Sequence, residues 1–335
     1  MRYTPIAEGC SFLYSPDLEL MFAVSSILQG EPVHSLCTKI YGEKRITELK
    51  TAYPFLLEVF RSHMGTAPLG IFEPLLDLPP GDFSLEAYRS FLLEMEPAVF
   101  IGRYFGGYVA AEDIAAAMGN DDWLEKLFAE KRLSDSLIGL QSFFCHTERF
   151  IREYIAFAQA LRTPEFEEAV GAQADAVATA LRDAQDSLKE TAPLAYSERL
   201  MGKTFRNRGP YEWFAFSVSL LMPCRALRFF GKGQILFTTL RRDAVDDDSV
   251  IAQLKVIADP TRFKMIALIG EKQPIRGLEI AQALHIAPST VSHHIEQLGK
   301  AGIIHEEPSK NSKYYSLNRV MMNAILKRLS ETLGN

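Results

Sequence analysis

Cysteine is scarce in this chain: four in 335 residues (Cys10, Cys37, Cys145, Cys224). They are too scattered for a disulfide framework and fit a reducing cytoplasm with thiols left free. Long apolar runs are also missing. The most apolar stretch, residues 211–230, is interrupted by Glu212, Pro223, Arg225 and Arg228, and reads as a buried element rather than a membrane span. The first fifteen residues lack the charged-then-apolar pattern of a signal peptide. Residues 1–240 hold no phosphate loop, nucleophile elbow, metal-binding helix motif or dinucleotide fingerprint. Gly102, Gly106 and Gly107 have the wrong spacing for the last of these, and no strand leads into them. These absences predict a cytoplasmic chain with no catalytic residues, no cofactor and no metal.

The composition is that of a globular protein, 47% apolar and 23% charged. At roughly 100–200 residues per domain, the length predicts two or three domains. The net charge of −6 conceals an asymmetry. Residues 1–198 carry −14, residues 199–242 carry +8, the acidic stretch 243–249 carries −4 and residues 250–335 carry +4. An acidic body with a basic C-terminal third is the distribution expected if only that third meets a polyanion.

The pattern up to residue 200 predicts helices. Ser15-Pro16-Asp17 begins one, a second runs from about 46 to 63, and 134–161 is a long amphipathic stretch. Thr163-Pro164-Glu165 starts another, reaching about 189. Cys145, adjacent to His146, reads as a buried thiol, since neighbours on a helix point about 100° apart and make a poor chelate. Alternation over 211–221 and the run 235–240 read as strands pairing around Gly231-Lys232-Gly233. The predicted fold is mainly α with small β elements. A helical domain over 1–242 ends in a small sheet, followed by an acidic linker at 243–249 and a winged helix-turn-helix over 250–335.

That last domain carries the function. Asp259-Pro260-Thr261 gives a cap followed by Pro at the first helical position. GLEIAQAL (277–284), the connection His285-Ile286-Ala287 and PSTVSHHIEQLGK (288–300) form helix, tight turn, helix. A hairpin with a basic tip at Lys310-Asn311-Ser312-Lys313 follows as a wing, and a closing helix spans 318–333. In the second helix Val291, Ile295 and Leu298 fall at i, i+4 and i+7 and face the core. Ser289, Thr290, Ser292, His293 and Gln297 face outward, with no acid until Glu296 at the margin. Short polar side chains on such a face suit a major groove, and Lys300, Lys310 and Lys313 suit phosphates.

The stretch DPTRFKMIALI…GLEIAQALHIAPSTVSHHIEQLGKAGII…KYYSL resembles the winged-helix domain of ArsR-type bacterial transcriptional regulators over about 85 residues. The family's Ser-x-His-Leu appears as Ser292-His293-His294-Ile295, so the resemblance adds His294 to the DNA-binding set; its spacing from Val291 and Leu298 places it at the edge of the buried face, in a structural or phosphate-positioning role rather than base reading. It implies a homodimer built on the first and last helices of the domain, about 250–258 and 318–333, and binding to a two-fold operator as a repressor. Where some of the family hold a soft metal, this chain has Arg276 and Leu278, and its last helix offers only Glu331. SPDLELMFAVSSILQGEPVH, the strand near 211–221 and ILFTTLRR are similar to extended ArsR-type regulators, whose long N-terminal domain has no characterised role. The first 242 residues are expected to bind a small-molecule effector or to strengthen the dimer. Arg199, Lys203, Arg206 and Arg208 are candidate anion or phosphate contacts. The alternative is an enzyme or small-molecule-binding protein with an appended DNA-binding domain.

Overall fold

A computed structural model describes residues 2–29, 35–63, 69–78, 83–205, 209–240, 247–309 and 312–333. Its architecture is mainly helical with two small sheets, as predicted. The chain divides into two compact units. One comprises residues 1–190 and 210–240, the other residues 191–209 and 241–335.

In the first unit, the Ser15 side chain accepts the N–H of Asp17 to start α1 (Pro16–Leu28). Every residue from Leu18 to Leu28 is buried, so α1 is the central helix rather than an amphipathic surface one. Around it pack α2 (Ser35–Ala52), α3 (Pro54–His63), a 3-10 turn (Gly70–Leu76), α4 (Leu85–Glu94), α5 (Pro97–Tyr104), α6 (Ala111–Ala117) and α7 (Asp121–Lys131). Then come α8 (Leu137–Cys145), α9 (Thr147–Ala160), α10 (Pro164–Gly171) and α11 (Ala174–Leu188).

Three stretches predicted as single helices are divided. Pro54, which has no N–H to donate, separates α2 from α3. His146, at φ −128° and ψ 34°, separates α8 from α9. Residues 172–173 separate α10 from α11, although Thr163 caps α10 as expected, accepting the N–H of Phe166. Cys145 is exposed, not buried, because it lies at the end of α8, where the chain turns.

The predicted C-terminal strands prove to be part of a five-stranded sheet of order β1-β2-β3-β5-β4. β1 (Arg2–Ala7) and β2 (Cys10–Tyr14) form a hairpin at the start of the chain. β2 runs parallel to β3 (Trp213–Ser219), and β3 runs parallel to β5 (Gly233–Thr239). The 231–233 break joins β5 not to β3 but to β4 (Ala226–Phe230), its antiparallel neighbour on the other edge. Gly233 faces Trp213 across β3 and β5, and a Cβ there would collide with the indole. The turn after β3 is tied to α1 by Glu19. Its buried carboxylate accepts the Ser219 hydroxyl at 2.6 Å and the N–H groups of Leu220 (2.8 Å) and Leu221 (3.0 Å).

The second unit contains α12 (Pro193–Met201), α13 (Asp247–Ile257), α14 (Pro260–Lys272), β6 (Ile275–Arg276), α15 (Gly277–Leu284), α16 (Pro288–Lys300), β7 (Ile304–Ser309), β8 (Ser312–Leu317) and α17 (Arg319–Leu333). Residues 191–209, expected in the N-terminal domain, group with this unit instead. Of the predicted linker 243–249, residues 243–246 lie outside the described residues and the rest already belong to α13. Met265, Ile269, Ile280, Val291, Leu298 and Ile325 form its separate core. No helix among the described residues is long and apolar enough to cross a membrane.

Candidate nucleic-acid interface

The helix-turn-helix is fixed by local chemistry. Asp259 caps α14, its Oδ1 accepting the N–H of Arg262 at 2.8 Å. Glu279 reaches back from the first turn of α15 to accept the N–H of Arg276 at 2.8 Å. His285 ends α15 in the left-handed region at φ 54°, and Pro288 opens α16 three residues later. This turn sets the direction of α16. Val291, Ile295 and Leu298 of α16 are buried, as the spacing predicts.

At about 100° per residue, the outward arc of α16 runs from Ser292 through Glu296, Ser289, Lys300, His293 and Gln297 to Thr290. Ser289, Thr290, Ser292, His293 and Lys300 are exposed, and Gln297 is half-buried. The Ser292 hydroxyl donates to the Pro288 carbonyl at 3.0 Å, so its proton is used within the helix and it offers lone pairs outward. Glu296 lies within the arc rather than at its margin. It pairs with Lys300 at 2.6 Å, and this contact holds its carboxyl below the usual range. His294 does not share the arc. Its side chain is 14% exposed, and its Nδ1 lies 4.0 Å from Asp259 Oδ1, facing the α14 cap.

The wing is an antiparallel hairpin, with β6 added beside β8 in the order β6-β8-β7. Lys313 is exposed near its tip and pairs with Glu306 at 2.7 Å. Lys310 lies outside the described residues, as do Arg206 and Arg208. Arg199 is exposed and its guanidinium lies 5.1 Å from the Tyr196 ring. Lys203 is not a surface cation: its side chain is 10% exposed, and its Nζ lies 3.8 Å from Glu307. Arg276 is a possible DNA contact with no signal in the sequence. It is exposed on β6, next to Tyr314 of the wing, and its Nε lies 3.3 Å from the Glu279 carboxylate. Only the pairing of β6 with β8 brings it there, and a two-residue strand leaves no periodic trace. Among the described residues, no three His, Cys, Asp or Glu side chains cluster to hold a metal ion.

The arrangement presents a short polar helix face, flanked by the cations of α16 and the wing, as in proteins that place a recognition helix in a DNA groove. Similarity to known proteins points the same way. A family model described as "Bacterial regulatory protein, arsR family" matches residues 259–306, from the cap of α14 into β7. The transcriptional repressor SdpR of Bacillus subtilis (strain 168) is 34% identical over 68 residues, which cover 20% of this chain and 74% of that protein. The cap, the turn and the polar arc of α16 all fall within the matched region, and the chain belongs to the arsR family of DNA-binding transcription regulators.

Proposed function

We propose that this protein is a sequence-specific repressor that binds a two-fold operator as a homodimer, and that its N-terminal unit receives a small-molecule effector. The observation that carries the proposal is the outward arc of α16. Its one acid, Glu296, is neutralised by Lys300, and its remaining groups are the donors and acceptors of Ser289, Thr290, His293 and Gln297. Lys300, Lys313 and Arg276, each exposed and paired with a carboxylate in the free protein, supply the positioning contacts to phosphate by exchanging those partners. The similarity to SdpR supports repression as the outcome.

Two observations support the dimer and the effector. Ile251 on α13 and Leu326 on α17 are 50% and 60% exposed, and the two helices pack against each other. They offer an apolar patch to a second copy. On the N-terminal unit, a groove of about 1110 Å³ opens between α2, α3 and the start of α8, lined by Thr47, Lys50, Glu58, Arg61 and Asp135 among others. An effector there would regulate by favouring one spacing of the paired α16 helices, which must match about 34–36 Å of DNA.

The test is binding to DNA from the protein's own promoter region, against random DNA, at several salt concentrations. Thr290→Ala, His293→Ala and Gln297→Ala combined should cost several kcal/mol, at about 1–3 kcal/mol per base contact, and leave random-DNA binding almost unchanged. Equal wild-type affinity for the two DNAs, with no effector able to separate them, would overturn the proposal.

A further inference from the structure

We propose that residues 191–205 are a brace for the wing, and that Met201 and Lys203 are positioning residues for DNA binding rather than anion contacts. The chain leaves the N-terminal unit after Glu190, builds α12 in the DNA-binding unit, and returns at Pro210. Gly202 ends α12 at φ 68°, and the Lys203 N–H turns back to the Glu198 carbonyl at 3.1 Å. The Glu198 carboxylate then accepts the Phe205 N–H at 2.8 Å. The result is a closed hook, with Met201 and Phe205 buried.

The hook grips one strand. His305 Nε2 lies 3.1 Å from the Met201 carbonyl, and because a carbonyl only accepts, Nε2 carries the proton. Lys203 Nζ lies 3.8 Å from Glu307 Oε2 and 5.5 Å from the centre of the Phe205 ring. His305 and Glu307 are two apart on β7, so both point to the same side of the strand. Glu306 between them points the other way and pairs with Lys313 across the hairpin. One side of β7 is therefore tied to the brace and the other to the cation near the wing tip.

The ion pair is shielded, with side-chain exposures of 10% for Lys203 and 20% for Glu307. Salt screens such a pair less than one on the surface, so the brace persists under conditions that weaken phosphate contacts. Residue 191 follows directly on Glu190 of the N-terminal unit, so the brace is joined in sequence to that unit. Its role in DNA binding rests on the function proposed above; the brace itself does not.

The test uses the full-length protein. Lys203→Glu sets two carboxylates against each other, and Lys203→Glu combined with Glu307→Lys restores opposite charges. Amide hydrogen exchange is read in the wing without DNA, and the salt dependence of binding is read on promoter DNA. Lys203→Glu should speed exchange across β7 and β8 about tenfold or more while leaving α16 unchanged. It should also reduce the slope of log affinity against log salt by about one for each phosphate that the wing ceases to neutralise. The charge swap should recover both. Unchanged wing exchange in Lys203→Glu, or no recovery in the swap, would overturn the brace. If Lys203→Glu does not fold, His305→Leu, which removes the donor to Met201, decides in its place by the same exchange criterion. Wild-type protein that fails to recognise its promoter DNA overturns the function instead, and the exchange result still decides the brace.

Discussion

Asp259 links two helices through one carboxylate. It caps α14 at the Arg262 N–H and lies beside His294 of α16, while Arg262 Nε donates to the Val256 carbonyl at 2.6 Å and closes the end of α13. Asp259→Asn keeps a cap acceptor, whereas Asp259→Ala removes the cap and the partner of His294. The urea midpoint should therefore fall in Asp259→Ala and hold in Asp259→Asn, and a fall of the same size in both would show that charge rather than capping matters there. Two groups, the half-buried Glu73 and the buried His63, give the N-terminal unit a legible response to pH. Burial pushes the Glu73 carboxyl up to about 7, against the opposing charge of Arg103 and with the help of Asp77. A folded pKa raised in this way stabilises fully below the unfolded value of about 4.5, and the gain is lost as pH rises to 7. Burial among Tyr104, Phe105 and Phe143 pushes His63 down to about 3. Its neutral form costs nothing above about 6.5, and stability is lost as pH falls below that. The two slopes oppose each other between about pH 4.5 and 6.5. Urea unfolding across that window should show stability rising more steeply with pH in Glu73→Gln than in wild type, and an unchanged slope would show that Glu73 ionises normally.

Elements fixed by their own neighbours were legible in the sequence. The caps Ser15, Thr163 and Asp259, the Pro288 start and the buried trio Val291, Ile295 and Leu298 all stand where spacing placed them, because each depends on contacts within a turn or two. What the sequence hid depends on distant partners. β1, β2 and β4 were invisible because the five-stranded sheet pairs Cys10 with Phe214 and because ALRFF alone carries no strand period. The break at His146 was invisible because the apolar period runs straight through it. Lys203 read as a surface cation because Glu307 lies 104 positions away. In the candidate site the polar arc and the place of His294 at the edge of the buried face were legible, while the contact of His294 with the Asp259 cap needed the packed helices. The sheet also supplies a test of element packing. Gly233→Ala drives a methyl group into the Trp213 ring and should destabilise the N-terminal unit by about 1–3 kcal/mol. Thermal unfolding measures this, and Trp213→Leu, which opens the site, should restore part of the loss in the double variant.

At the scale of the whole molecule, the proposed dimer makes affinity for DNA depend on two copies acting together. One recognition helix reaches a few base pairs, and joining two half-sites multiplies affinity by about 10²–10⁴ without any new contact. Ile251 and Leu326 are exposed on neighbouring helices of the DNA-binding unit and form the proposed contact with a second copy. Ile251→Asp and Leu326→Asp place charges on that patch. Each side chain is exposed in the single chain, so the fold should keep its stability within about 0.5 kcal/mol. Sedimentation should show monomers at concentrations where the wild type is a dimer, and operator affinity should fall by about 10²–10⁴, while binding to random DNA falls far less. A variant that stays dimeric and binds its operator at full strength would move the dimer contact elsewhere, with the N-terminal unit the next place to look.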